Sequence, residues 1–254
     1  AKKSDAIVAI SELQKEELSV TYNICAKDKI RVISLGFDLR KFTVDGTNKR
    51  ARFRTKYGLK NDELAIGIIG RLAPIKDHQL FVRAFADCKP RCGKTIRAFI
   101  IGDGETKPLI KKQITASGCT CTEIPGEAAD FVFTSWIREV DEALPGLDMI
   151  CLTSLNEGTP VSLIEAQAAS KFVVSTDVGG IRDILHKDCG LLSPAGDGKA
   201  FAANLLEVIQ NFGKYSARAG AASEEVIKRF SYERLCSDMD RLYRELLTKK
   251  NTGH

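Results

Sequence analysis

The sequence predicts an α/β protein, a Rossmann-like parallel sheet with helices on both faces, and three observations carry that reading. Apolar strand-like runs alternate with helical patterns through residues 64–192, the rhythm of successive βα units. The runs are continuously apolar, LAIGIIG at 64–70 being the clearest, as in strands covered on both faces. Loops carrying Gly, Arg, Lys and Glu recur directly after these strands, at the edge where open α/β sheets place their ligands.

In chain order, DAIVAIS (5–11) reads as a strand, Glu12–Ile24 as a helix and Ile30–Leu35 as a second strand, followed by the turn Gly36-Phe37-Asp38. The basic stretch from Asn48 to Lys60 has only two aromatics, Phe53 and Tyr57. Four residues apart, they share a helix face, which predicts a helix packed by the two rings with its remaining charges in solvent. Leu64–Gly70 is a strand that runs into Arg71 and Lys76, and His78–Ala86 is a helix with Leu80, Phe81, Ala84 and Phe85 on one face. His78 reads as a helix-start residue rather than a ligand. Thr95–Ile101 is the next strand, Lys107–Ala116 a helix and Asp130–Thr134 a strand leading into Ser135-Trp136-Ile137. Further on come the strands Phe172–Thr176 and Cys189–Leu192, with Gly179-Gly180 opening a short helix between them. Helices follow at Asp197–Asn211, Ala217–Arg229 and Tyr232–Leu247, and Thr248–His254 reads as a frayed tail.

The stretch LDMICLTSLNEGTPVSLIEAQAAS (147–170) concentrates the chemistry. Asp148–Leu152 is a buried strand and Thr153–Gly158 a polar loop. Thr159 and Pro160 suit the N-cap and first position of a helix reaching about Ser170, because a proline there gives up no useful N–H. The free N–H groups of Val161 and Ser162 then face the end of the strand, a ready anion site. Glu157 precedes the cap, and Glu165 lies roughly 9 Å further along the helix axis. The neighbours of Glu165 are Leu163, Ile164, Ala166, Ala168 and Ala169, so its carboxylate needs a partner more than a solvated one would. A ligand with an anionic centre and hydroxyls at both ends, such as a nucleotide sugar, matches this spacing.

NEGTPVSLIEA resembles the E-x7-E signature of family-4 retaining glycosyltransferases of the GT-B fold (glycosyl transferase group 1 type). The resemblance implies that Glu157 meets the donor sugar and Glu165 the ribose hydroxyls. GRLAPIK (70–76) is similar to the family's GRL…K segment, implying that Arg71 and Lys76 hold the donor diphosphate. The Gly102-Asp103-Gly104 turn has its counterpart there, and the loop at Ser135–Ile137 would lie beside the nucleobase, with Trp136 read equally as core or as a stacking platform. The implied catalytic set is Arg71, Lys76 and Glu157. The implied donor-binding set is Gly70, Trp136, Ile137, Gly158, Thr159, Pro160, Val161, Ser162 and Glu165. Departures from the family pattern are Asp77 and Ser135 where Gly is common, and Asp183 where Glu is common. LGFDLRKF (35–42) resembles the NGVD…F turn between the two domains of such enzymes, with Leu35 in place of Asn.

The likeness runs from about Ala6 to Leu247 and implies the C-terminal domain of a GT-B fold. Residues 1–38 would be the tail of an N-terminal acceptor domain plus hinge, 39–229 the donor-binding domain and 230–254 a crossover helix and tail, with the missing N-terminal domain expected as a partner. The implied activity is transfer of a hexose from a nucleoside-diphosphate sugar, with UDP favoured, to the hydroxyl of a sugar, lipid or small-molecule acceptor, with retention. Neither cofactor nor metal is expected. Asp238-Met239-Asp240 is a D-x-D pair, but it falls inside a predicted helix, where residues two apart diverge. Two rivals stay open: a non-catalytic nucleotide-sugar-binding module, and an NAD-dependent dehydrogenase. The second would need a complete G-x-G-x-x-G, and Lys107 stands where the third Gly belongs.

Composition sets the outer bounds. The chain has 254 residues, 44 % hydrophobic and 28 % charged, ordinary for a globular protein. No apolar run reaches the roughly 20 residues of a membrane span. Eight cysteines include no C-x-x-C pair, which argues against zinc and for reduced thiols in a cytoplasmic protein, with Cys151 and Cys189 in the core. The net charge of +5 comes from 38 Lys plus Arg against 33 Asp plus Glu. Its densest patch, around residues 48–60, leaves peripheral contact with anionic lipid as an alternative. Nucleic acid is not an expected partner, since no aromatic platform is interleaved with the charge.

Overall fold

The computed structural model describes residues 1 and 3–252. Two compact units are distinguished: Ala1–Arg40 together with the segment from Glu225 onward, and Lys41–Glu224.

In the first unit, strands β1 (Ile7–Ala9) and β2 (Ile30–Val32) pair in parallel, Ile7 opposite Ile30. Helix α1 (Glu12–Glu16) is capped by Ser11, whose Oγ accepts from the Gln14 N–H at 3.1 Å. Wider turns carry it on only to Thr21, short of the expected Ile24, and Asn23 then takes a left-handed φ of 46°.

The second unit is a seven-stranded parallel sheet. Helix α2 (Gly46–Lys56) leads into β3 (Leu64–Ile69), α3 (His78–Cys88), β4 (Ile96–Ile101) and α4 (Lys107–Ala116). Then come β5 (Cys121–Thr122), β6 (Phe131–Ser135), α5 (Val140–Ala143), β7 (Met149–Leu152), α6 (Val161–Ala168) and β8 (Phe172–Asp177). The short α7 (Ile181–Ile184), β9 (Gly190–Pro194) and α8 (Gly198–Gln210) complete the sheet and its cover. Strand order is β5-β6-β4-β3-β7-β8-β9, all parallel. From β3 the chain adds β4, the edge strand β5 and then β6 between them on one side, before running outward from β7 on the other, so the switch point lies between β3 and β7. Two elements escape sequence reading: the two-residue β5 and the single-turn α5.

Alternation along each strand sorts residues to the two faces. Leu64, Ile66, Ile68, Ala98, Ile100, Phe131, Phe133, Met149 and Cys151 join one buried cluster with α3, α4 and α8. On the other face, Phe53 and Tyr57 of α2 meet Phe99 at ring-centroid distances of 5.3 and 5.4 Å.

Helix α2 corrects the expectation of a solvated basic helix. Lys49 and Arg54 are buried. Lys49 donates to Asp141 at 2.6 Å, Arg50 and Arg54 pair with Asp148, and Arg52 pairs with Glu142. Four of the six cations between Asn48 and Lys60 are thus engaged in docking the helix, while Lys56 and Lys60 stay exposed.

Helix α9 (Phe212–Arg229) begins five residues earlier than expected, and α10 (Tyr232–Thr252) continues through most of the stretch read as a frayed tail; residues 253–254 lie outside the described part. In the first unit, the turn at Phe37 is pinned to the start of α10: the Phe37 N–H donates to Phe230 O, and the Tyr232 N–H to Phe37 O. Arg234 donates to the carbonyls of Ser34 and Leu35. Asp238 and Asp240 pair with Arg234, Arg241 and Arg244 along α10. Among the described residues no group of three or more His, Cys, Asp or Glu is placed to hold a metal ion, and no helix is long and apolar enough to cross a membrane. Cys151 and Cys189 are fully buried.

Two predictions follow from burial. Asp148→Ala leaves the buried Arg54 without its carboxylate and is expected to cost about 3–5 kcal/mol, read by urea unfolding; a loss below about 1 kcal/mol, the range of an exposed pair, would show that the pair is not a buried one. His78 is buried beside Lys76, its ring nitrogens have no hydrogen-bond partner, and burial lowers its pKa from 6.5 to about 4. A depressed pKa means stability is intact above 6.5 and drains away as pH falls towards 4, by about 3 kcal/mol in all. His78→Leu should flatten that window in unfolding curves taken across pH, while leaving the rest of the acid limb in place.

Candidate functional site

The carboxyl ends of β3 and β7 bring two of the sequence-predicted residues, Lys76 and Glu157, together at the switch point. After β3, a 3₁₀ turn at Pro74–Lys76 delivers Lys76, and its stem passes Gly70: a Cβ added there would sit 3.9 Å from Lys76 Cε. After β7, the loop delivers Glu157. Lys76 Nζ lies 2.5 Å from Glu157 Oε1, and Ser154 Oγ donates to the same oxygen at 2.6 Å. The Glu157 side chain is 9 % exposed and that of Lys76 25 %, so the pair is shielded but open on one side. Ser154 was not singled out from sequence; a hydroxyl three residues before an acidic loop residue is the only signal there was.

Hydrogen bonds to backbone carbonyls lace these loops. The Leu155 N–H donates to Ile75 O at 2.8 Å, Thr153 Oγ1 to Lys76 O at 2.9 Å and Thr176 Oγ1 to Ser154 O at 2.7 Å. The β8–α7 loop closes against them. Gly179 has φ +53°, and a Cβ there would stand 1.7 Å from Glu157 O, so only glycine fits. A second close approach explains the Gly102-Asp103-Gly104 turn: a Cβ on Gly102 would fall 2.0 Å from Gly70 O. That glycine serves to seat one loop on another.

Asp77 and Ser135, the two departures from glycine, both adopt left-handed backbone, φ 38° and 55°. Each pays for the strain with a side-chain bond. Asp77 caps α3 by accepting from the Leu80 N–H at 3.2 Å, and Ser135 Oγ donates to Asp103 Oδ2 at 3.3 Å.

Helix α6 starts one residue later than expected. Pro160 occupies the cap position and no side chain caps the helix, so Thr159 is not the N-cap: a proline with ψ near 102° is still extended. The first-turn N–H groups of Val161 and Ser162 therefore lack a side-chain acceptor, and the positive end of the helix faces the loop that carries Glu157 and Gly158.

Glu165 is half-buried on α6, and no hydrogen bond to its carboxylate is recorded among the described residues. Burial raises its pKa; Lys41 opposes that rise and Asp141 adds to it. Arg71 is more open, its guanidinium 3.2 Å from Glu105 on an exposed side chain. Trp136 is 58 % exposed, which removes the reading of it as core. Ile137 lines a small cleft of about 230 Å³ with Phe53, Tyr57 and Arg52. A larger cleft, of about 730 Å³, opens between α3 and α8 at Arg83, Arg91 and Lys199; none of the loop residues named above lines it.

Comparison with known proteins places the chain. Residues 63–211 match the family described as Glycosyl transferases group 1. Among curated proteins, the D-inositol 3-phosphate glycosyltransferase of Rhodococcus jostii is 26 % identical over 99 % of this chain and 55 % of its own length. The capsular polysaccharide biosynthesis glycosyltransferase CapM of Staphylococcus aureus is 24 % identical over 97 % of this chain and 63 % of its own. The chain thus spans little more than half the length of such relatives. Among solved structures, Anabaena HepE in complex with UDP superposes with a TM-score of 0.81 at 20 % identity, covering 95 % of this chain and 64 % of that one. Sucrose-phosphate synthase of Thermosynechococcus elongatus gives 0.79 at 19 % identity, covering 97 % and 59 %. The sheet is the Rossmann-like one found in these GT-B proteins, and with more than half of its residues matched the chain belongs to the Glycosyl transferases group 1 family.

Proposed function

We propose that the Lys41–Glu224 unit binds a nucleoside-diphosphate sugar, with UDP as the nucleotide, and that the chain is the donor-binding half of a retaining hexosyltransferase that acts on an acceptor hydroxyl without a metal. The observation that carries this reading is the meeting of Lys76 and Glu157 from two different loops at the switch point, beside the uncapped start of α6. A cation, a helix N-terminus and a hydroxyl acceptor in one place match a sugar diphosphate. The complexes of Anabaena HepE with UDP and with UDP-glucose support the choice of nucleotide.

In this reading, departure of the diphosphate is the costly event. Arg71, Lys76 and the N–H groups of Val161 and Ser162 aim positive charge at its oxygens and stabilise the charge that develops there. Gly70 and Gly158 leave the backbone open to the phosphates, Pro160 sets where α6 begins, and Thr159 precedes it on the same side of the site. Glu157 accepts from hexose hydroxyls and Glu165 from the ribose. Trp136 and Ile137 border the base. The resting ion pair means that Lys76 is held in place before the ligand arrives, so less ordering is left to the binding step.

Arg71→Ala and Lys76→Ala are each expected to weaken UDP binding roughly ten- to a hundredfold, the worth of a charge-assisted hydrogen bond. Titration calorimetry reads this directly, and unchanged affinity in both variants would remove them from the site. Glu157→Gln removes an anion that competes for Lys76, so affinity for bare UDP should be kept or rise while affinity for UDP-hexose falls. Glu165→Gln should weaken both ligands, since both contain the ribose; identical profiles for the two glutamines would overturn the assignment of one carboxylate to each end.

A further inference from the structure

The two cations assigned to the diphosphate both rest on carboxylates, and the two pairs differ in kind. Lys76 meets Glu157, itself a residue of the site, through side chains that are 25 % and 9 % exposed. Arg71 meets Glu105, which has no part in the donor site described above, through side chains that are 68 % and 51 % exposed. One bond joins them, Arg71 Nη2 donating to Glu105 Oε2 at 3.2 Å. Two other carboxylates of these loops are already taken. Glu157 is held by Lys76 and Ser154, and Asp103 by the Gly104 N–H at 2.8 Å, by Ser135 and by Lys107.

The backbone fixes this meeting. The Gly70 N–H donates to Ile101 O, the Leu72 N–H to Asp103 O and the Thr106 N–H to Leu72 O, each at 3.0 Å. A Cβ on Gly104 would fall 2.4 Å from Leu72 O, so this glycine admits a close approach like that of Gly102 to Gly70. Leu72 is fully buried, whereas Arg71, one residue before it, is exposed. The loop after β4 is thus locked onto the loop after β3 on both sides of Arg71. Glu105, between Gly104 and Thr106, is delivered to the guanidinium by that lock and not by a chance meeting of two surface side chains.

We propose that Glu105 is the resting counter-ion of Arg71: the donor diphosphate displaces it on binding, and it takes the guanidinium back when the nucleotide leaves. This rests on the donor-site reading given above. A guanidinium offers the same fork to a carboxylate and to a phosphate, so the two anions compete for one partner. Were both to stay, like charges would be held close together around a single cation, which is disfavoured. The exchange costs little for Arg71 and Glu105, because an exposed pair is weak and the freed carboxylate returns to water. The shielded pair of Lys76 and Glu157 lacks that escape, and its carboxylate stays at the sugar. Glu105 is therefore a positioning residue: it holds Arg71 in the empty site and lowers the affinity for the nucleotide that must be released.

The test is a double-mutant cycle on UDP affinity, measured by titration calorimetry for the unaltered chain, Glu105→Gln, Arg71→Ala and the double variant, at about 0.01 M and about 1 M salt. Glu105→Gln is expected to raise UDP affinity about two- to fivefold at low salt, the range of an exposed ion pair. The gain should vanish at high salt, where such a pair is screened, and should be absent when Arg71 is already alanine. Unchanged or lower UDP affinity in Glu105→Gln, with Arg71→Ala still weakening UDP, would overturn the role of Glu105 and leave the donor site standing. A gain of equal size in the Arg71→Ala background would also overturn it, since the effect would then be one of net charge and not of Arg71. Failure of Arg71→Ala to weaken UDP would remove Arg71 from the site and this inference with it, and failure of the unaltered chain to bind UDP at either salt would overturn the donor-site reading as a whole.

Discussion

The buried carboxylate of Asp148 is the constraint on which the rest of the second unit hangs. Oδ1 takes Arg50 at 2.8 Å, while Oδ2 takes Arg54 at 3.3 Å and the Ala65 N–H at 2.7 Å. One side chain thereby fixes the docking of α2, the start of β3 and the start of β7. Because strands rise about 3.3 Å per residue with side chains alternating in direction, a register set at the amino end of β7 is still in force at its carboxyl end. Glu157 meets Lys76 there because two neighbouring strands were aligned at the opposite edge of the sheet. Burying such a carboxylate is costly without partners; three partners make it a locating pin.

Much of this architecture was legible in the sequence. The strands Leu64–Ile69, Ile96–Ile101, Met149–Leu152 and Phe172–Asp177 were read to within a residue or two, because continuous apolar runs between loops have few other ways to fold. So was the sequence order of the loops at the carboxyl edge. What periodicity cannot convey is which loops touch. The bonds from Leu155 to Ile75 and from Thr176 to Ser154 link residues up to 80 positions apart, and no local pattern encodes them. The start of α6 was misplaced by one residue because Pro160 satisfies the composition of a first helical position while its backbone remains extended.

The basic stretch shows the same boundary from another side. Counting charges along Asn48–Lys60 correctly located a helix and its two packed rings, but the acidic partners Asp141, Glu142 and Asp148 lie about 90 residues downstream. A run of cations looks like a surface feature until its counter-ions are placed. Asp77 and Ser135 were similarly marked as departures from glycine. Their left-handed backbone retains the glycine geometry, and their side chains supply hydrogen bonds that glycine could not. Motif spelling and motif geometry therefore come apart at these two positions.

The margins of the sheet have a consequence of their own. On one side the last strand is β5, two residues long; on the other it is β9, which ends on Pro194. An edge strand offers unpaired backbone groups to any extended chain that drifts alongside, and the offer scales with its length. Two residues make a poor template, and a proline supplies no N–H at the end of the other. The seven strands, though open at both sides, are thus poorly suited to being extended by a second copy, and this protection costs the carboxyl edge, where the loops converge, nothing.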